Sequence, residues 1–148
     1  MKFKMITLSD PYYEDELMLR WEVLEKPLGL PPPGKERSNE EKESVHLIAL
    51  EKNRLIGCIL CHPESGQEGK IIQFVLSKEY KGWSFGRKLV QRLEEVMVQK
   101  GISHVYVMAR EEDHNLFVSL GYEPEGERIK QEGAYLQKMS KDLFVASA

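Results

Sequence analysis

Hydrophobic and polar positions change period several times along the chain, and each change marks an element. Residues 3–8 alternate loosely, as a strand with one covered face does. Ser9-Asp10-Pro11 reads as a helix start: a capping residue, proline at the first helical position, then acidic Glu14, Asp15 and Glu16. Leu17, Trp21 and Leu24 fall on one face of that helix, with Met18 beside them, until Pro27 and Gly29 stop it. Residues 29–43 run from a proline-rich loop into a charge run with room for one helical turn, too polar for core. Residues 45–50 and 55–61 are two apolar runs about Glu51-Lys52-Asn53-Arg54, the pattern of a hairpin. Residues 71–76 form a third run. After a turn with two glycines the period becomes helical from about Gly86 to Lys100, with Leu89, Val90, Leu93, Val96 and Met97 in one stripe. Gly101 supplies a left-handed cap, and residues 104–110 return to strand. Glu111-Glu112-Asp113 opens a short helix with Leu116, Phe117 and Leu120 apolar, closed by Gly121. An antiparallel pair ends the chain, from Tyr122 to about Lys130 and from Tyr135 to about Phe144, turning at Gln131-Glu132-Gly133.

The strand at 71–76, its following helix and the strand at 104–110 form one crossover unit, so the two strands should be parallel neighbours. With 148 residues the chain is a single α/β domain, 1–148, with one substantial core. A net charge of −3 excludes a basic nucleic-acid binder. No apolar run approaches ~20 residues, which points to no membrane association and a cytoplasmic location. Cys58-Ile59-Leu60-Cys61-His62 spells a haem-attachment pattern. In a strand, however, the two thiols point to opposite faces, so inert buried cysteines without metal or haem are expected. The histidines lack ligand spacing.

Strand, glycine turn and helix N-terminus together make an anion site. The first helical N–H groups have no intrahelical partners and carry partial positive charge. Lys81, Arg87 and Lys88 add full charges, which suits a phosphate or pyrophosphate. Gly86 is expected at the point where loop becomes helix, with its N–H open to the ligand and room for a larger side chain without loss of the fold. No Ser or Thr follows the last glycine's basic residue, and G-x-G-x-x-G is absent, so neither common nucleotide motif fits.

Lys81-Gly82-Trp83-Ser84-Phe85-Gly86 instead resembles the acyl-CoA loop of the GNAT superfamily of N-acetyltransferases, Arg/Gln-x-x-Gly-x-Gly/Ala. Lys81 stands for Arg or Gln, and Ser84 for the first glycine. Leu116-Phe117, three residues and Gly121-Tyr122 resemble the family's second segment. Gly126-Glu127, the strand around Met139, and Arg20-Trp21-Glu22-Val23-Leu24 before Pro27-Leu28-Gly29 look like one bacterial branch. The resemblance implies a GNAT-like α/β (α+β) fold: a mixed, mostly antiparallel sheet with a central splayed parallel pair and helices on both faces. It implies acetyl-CoA as acyl-donor substrate, held by the main chain at Phe74, Val75 and Leu76. The loop Lys81, Gly82, Trp83, Ser84, Phe85, Gly86 and Arg87 would bind its pyrophosphate, with Asn115 and Phe117 near the thiol end. The acceptor would be an amine, on a small molecule or a protein.

Acetyl transfer to an amine needs a neutral nucleophile, although a free alkyl amine has a pKa near ~10.4. It also needs a route for the proton, donors for the oxyanion and help for the departing thiolate. Glu127 is the candidate base; Tyr122 and Tyr135 are candidate acids. Where many members carry a tyrosine to protonate the thiolate, this chain has Phe117, and Leu136 follows Gly133-Ala134-Tyr135 where the similar branch has Pro-His. Two readings stay open: an N-acetyltransferase acting in a ternary complex, or a catalytically impaired CoA-binding module of the same fold. The resemblance also suggests a homodimer through the C-terminal strands, which would protect a sheet edge.

Overall fold

The computed structural model describes residues 1–34, 36–131 and 133–143. Among these residues, seven strands form one sheet in the order β1-β2-β3-β4-β5-β7-β6. They are β1 (Lys2–Ile6), β2 (Val45–Glu51), β3 (Arg54–Pro63), β4 (Glu68–Leu76), β5 (His104–Arg110), β6 (Glu123–Gln131) and β7 (Ala134–Asp142). The helices are α1 (Tyr13–Arg20), α2 (Asn39–Glu43), α3 (Trp83–Gln99) and α4 (His114–Ser119). β4 and β5 are parallel neighbours, as the crossover rule requires, while the other pairs are antiparallel. Phe144, at the expected end of the last strand, and Glu132, in its turn, lie outside the described residues.

One extra residue opens the sheet. β3 pairs Leu60 with Gln73 but Cys61 with Ile71, so Ile72 is a bulge on β4. The β4–β5 register runs from Glu68↔His104 to Ile71↔Val107 and stops there. A bulge bends its own strand and ends pairing. The two strands therefore part beyond Ile71 and Val107.

Each face of the sheet carries its own apolar cluster. Leu89, Leu93 and Met97 of α3 pack with Ile59, Phe74 and Phe117 on one side. Tyr13 and Leu19 of α1 pack with Ile48, Leu60 and Val75 on the other. Cys61 belongs to the first cluster and Cys58 to the second, on opposite faces as alternation demands. Burial pushes both thiols up, Cys61 to about 12.

The first helix and the charge run differ from the sequence expectation. α1 begins at Tyr13, not Pro11, because Asp10 is committed to the preceding turn: its carboxylate accepts from Tyr12 N–H at 2.9 Å and its carbonyl from Tyr13 N–H at 3.0 Å. The buried residues of α1 are Tyr13, Glu16 and Leu19. Trp21 is only half-buried, and its indole N–H donates to the Leu30 carbonyl at 2.9 Å, pinning the loop. After Arg20 the helix widens into a π-helical turn (Trp21–Glu25) and a 3₁₀ turn (Lys26–Leu28). The charge run also holds core: Ser38 caps α2 by accepting from Glu41 N–H at 3.1 Å, and Glu41 is buried.

Candidate active site

Beyond the bulge the parted strands leave a cleft of about 140 Å³. Ile72, Gln73 and Phe74 of β4 face Met108, Ala109 and Arg110 of β5, and Phe117 of α4 lies at the base. Leu24, carried by the π-helical turn, lines the cleft from the α1 side; such turns recur at functional sites. The Phe74 carbonyl points into the gap, where Arg110 Nη2 donates to it at 3.2 Å. Main-chain groups alternate between the two edges of a strand, so Leu76 faces the gap too. Ser77 N–H returns to β3, donating to Ile56 at 2.8 Å. The Val75 side chain is fully enclosed in the α1-side cluster, and by the same alternation its main chain faces β3 opposite Cys58, so Val75 offers the cleft no group.

The cleft opens towards the start of α3, past Val23, Leu76, Lys81, Gly82 and Glu112. Gly82 caps the helix in extended conformation, and a Cβ there would meet nothing within 4 Å. The outward first-turn N–H groups are those of Trp83, Ser84 and Phe85. The Trp83 side chain lies outside the described residues. Gly86 corrects the sequence reading: it sits in the second turn, and its N–H donates to the Gly82 carbonyl at 3.3 Å. A Cβ on Gly86 would lie 2.9 Å from Leu116 Cδ2 and 3.3 Å from Phe74 Cζ. Glycine is required there for the close approach of α3 to β4 and α4, not for ligand access.

The other sequence candidates disperse. Lys81 is exposed, with Nζ 3.4 Å from Glu112 Oε2. Arg87 turns to α4, donating to Ser119 Oγ at 2.8 Å. Phe85 packs edge-on against Tyr80 at 5.1 Å. Phe117 stacks edge-to-face on Phe74 at 5.6 Å, whereas Asn115 is exposed on α4 and lines neither the cleft nor its mouth. Tyr122 corrects its assignment as an acid. It is 2% exposed, its hydroxyl donates to Glu94 of α3 at 2.8 Å, and burial holds its pKa well up. Tyr135 is exposed, with Ala109, His114 and Arg128 around a shallow pocket at the end of β5. Glu127 is exposed on β6. The structure does not gather Glu127, Tyr122 and Tyr135 into one constellation.

The ionisable groups at the cleft are ones the sequence reading passed over. Arg110 Nη2 lies 3.0 Å from Asp113 Oδ2, and Nη1 lies 3.3 Å from Glu112 Oε1. Burial raises the Asp113 pKa and outweighs the neighbouring guanidinium. Strand alternation was the available signal, since it sends Arg110 to the same face as Met108 and away from the α3 core. Among the described residues no cluster of His, Cys, Asp or Glu is placed to hold a metal ion. No helix there is long and apolar enough to cross a membrane.

The model of the acetyltransferase (GNAT) family matches residues 10–122. An uncharacterized acetyltransferase of Streptococcus pyogenes serotype M1 is 20% identical over 107 residues, 72% of this chain and 75% of that protein. The fold is similar to that of an aminoglycoside 6′-N-acetyltransferase complexed with coenzyme A, with a TM-score of 0.82, 16% identity and 100% of both chains covered. It is also similar to Escherichia coli ElaA, with a TM-score of 0.78, 17% identity, and 95% of this chain and 99% of that chain covered. The parallel pair opened by a bulge, the glycine-capped helix beside it and the match over most of the chain agree, and the chain belongs to the acetyltransferase (GNAT) family.

Proposed function

We propose that this protein moves an acetyl group from acetyl-CoA to a primary amine by direct attack in a ternary complex. The splay of β4 from β5 supports this reading most. It presents main-chain groups of Phe74 and Leu76 to a narrow cleft of mixed lining, apolar at Leu24, Ile72 and Phe117 and polar at Gln73, Arg110 and Asp113, whose mouth is the N-terminus of α3. A pantetheine arm is a chain of amides and methylenes, which suits main-chain partners in such a mixed cleft. The pyrophosphate suits Lys81 and the first-turn N–H groups.

In the transfer the amine nitrogen bonds to the thioester carbon, the C–S bond breaks, and the amine loses a proton. Among the described residues, Arg110 and Asp113 are the ionisable side chains lining the cleft, and they are committed to each other. The proton therefore leaves through water towards the open side, where Glu127 is the receiving group we propose. Phe117 gives the thiolate no acid, so solvent protonates it. That same observation favours a second reading, a module that binds CoA without turnover. The proposed location is the cytoplasm, which cell fractionation checks.

Thiol release from acetyl-CoA, measured against a panel of small amines, polyamines and peptide amines, decides. Amine-dependent release supports the transferase. CoA binding without release from any amine supports the module. Absence of CoA binding refutes both.

A further inference from the structure

We propose that Glu112 is a built-in stand-in for the donor's phosphates, a carboxylate that bridges Lys81 and Arg110 across the mouth of the cleft and yields both when an anionic donor seats. The inference rests on the reading of that cleft as the acyl-CoA groove. Glu112 Oε2 lies 3.4 Å from Lys81 Nζ, and Oε1 lies 3.3 Å from Arg110 Nη1. One side chain thus engages the cation of the β4–α3 loop and the cation at the end of β5. Arg110, held by Glu112 and by Asp113 at 3.0 Å, also donates to the Phe74 carbonyl at 3.2 Å. The guanidinium thereby spans the gap at a main-chain acceptor that a pantetheine amide would use. The clasp has two halves, one on charge at the mouth and one on the main chain within.

The chemistry sets its strength. Glu112 and Lys81 side chains are 52% and 53% exposed, and exposed ion pairs contribute little. A pyrophosphate brings more charge than one carboxylate, so it displaces Glu112, whereas a neutral thioester has nothing to offer Lys81. The contact therefore works against the phosphates alone: it occupies the cation they would use and costs CoA some affinity that a phosphate-free donor does not lose.

The test is calorimetric binding of CoA and of pantetheine, which lacks the phosphates, to the wild type, Glu112→Gln, Lys81→Ala and the double variant. Glu112→Gln should bind CoA about three- to fivefold tighter at low ionic strength, the most that an exposed pair allows. The gain should shrink in high salt. Pantetheine affinity should not change, because Asp113 holds Arg110 Nη2 at the Phe74 carbonyl without Glu112, and at least half of the CoA gain should vanish in the Lys81→Ala background. Equal or weaker CoA binding by Glu112→Gln overturns the inference alone. So does a gain shared by pantetheine, or one untouched by Lys81→Ala. Failure of the wild type and Glu112→Gln alike to bind CoA overturns the groove reading, and this inference with it.

Discussion

Glu41→Ala removes the carboxylate at the centre of a polar cluster beneath α1 and α2. Its Oε1 accepts from Arg20 Nη2 at 2.7 Å. Its Oε2 accepts from the Tyr13 hydroxyl and lies 3.6 Å from Arg37 Nε. His46 Nδ1 faces the Glu16 carboxylate at 3.0 Å and Nε2 faces the Glu41 carbonyl at 2.9 Å. A carbonyl and a carboxylate both accept, so, although burial pulls the other way, this geometry favours the imidazolium, with both ring nitrogens donating, and raises the His46 pKa. Without Glu41, the carboxylate of Glu16 alone faces Arg20 and His46, and Arg37 loses its carboxylate. Removing one partner of a buried pair costs about 3–5 kcal/mol. Arg20 and Glu41 keep 14% and 11% side-chain exposure. Some water therefore reaches them, and about 2–3 kcal/mol is the expected loss. For a chain of this size that lowers Tm by roughly 5–10 °C. Glu41→Gln keeps the shape and one acceptor but not the charge. It should cost most of the same amount if charge holds the cluster, and little if shape does. Urea unfolding near pH 6, followed by tryptophan fluorescence and circular dichroism, measures both. A Glu41→Ala protein within about 0.5 kcal/mol of wild type would refute the claim that this cluster holds α2 to the sheet.

The same cluster sets a pH profile. Burial pulls His46 down, but its bond to Glu16 outweighs that and raises it above 6.5, so its contribution is whole below pH 6.5 and is lost as pH rises through the folded value. Burial pushes Glu41 up, but Arg20 and Tyr13 outweigh that and hold it below 4.5, so its contribution is whole above pH 4.5 and is lost as pH falls through the folded value. Wild-type stability should thus be greatest between these limits, and a profile flat from neutral to mildly alkaline pH would contradict the His46 half. Ser84→Glu should leave Tm unchanged, since an acidic first turn is favourable, yet weaken CoA by about tenfold or more by placing a like charge against the phosphates; unchanged affinity by calorimetry would move the pyrophosphate elsewhere. Gly86→Glu should unfold or strongly destabilise the protein, given the Leu116 and Phe74 contacts, and a normal melt would show that α3 can shift. Tyr122→Phe should cost about 1 kcal/mol for the lost bond to Glu94 and leave turnover intact; loss of amine-dependent thiol release in a folded variant would restore Tyr122 as an acid. β6 is exposed, acidic at Glu123, Glu125 and Glu127 and basic at Arg128 and Lys130, so antiparallel self-pairing matches opposite charges. We expect a dimer by sedimentation, and a monomer at high concentration would rule it out.

The parallel pair was legible because a strand, a helix and a strand in succession leave one handed solution. The opposite facing of Cys58 and Cys61 followed from the two-residue period alone. The start of α3 falls earlier than the pattern predicts because Gly82 and Gly86 together look like a turn, which hides Phe85, four residues before Leu89 and packed against the same core. The buried charges were not legible. Patterning assigns Glu16, Glu41 and His46 to solvent, and only partners distant in the chain bring them inside: Glu41 meets Arg20 across 21 residues, and His46 meets Glu16 across 30. No window of local sequence contains both halves of such a pair.

The site divides along the same line. Its main-chain half could be expected, because a glycine before a helix and a strand before the glycine are local features. The bulge that opens the cleft could not. Ile71 and Ile72 are apolar on one side of Gln73, and Phe74 and Val75 on the other, and apolar pairs fit either parity, so a skipped residue leaves no trace in the pattern. Glu111-Glu112-Asp113 shows the opposite failure, a signal read correctly but incompletely. Acidic residues at a helix start are favoured by its dipole, and in that role they open α4. They also stand across the mouth from the N-terminus of α3, where a phosphate ligand would meet their charge. The conflict appears only once the β4–α3 loop comes within 3.4 Å of Glu112. Lys81 and Arg110 then neutralise Glu112 and Asp113, which local sequence explains as the opening of a helix.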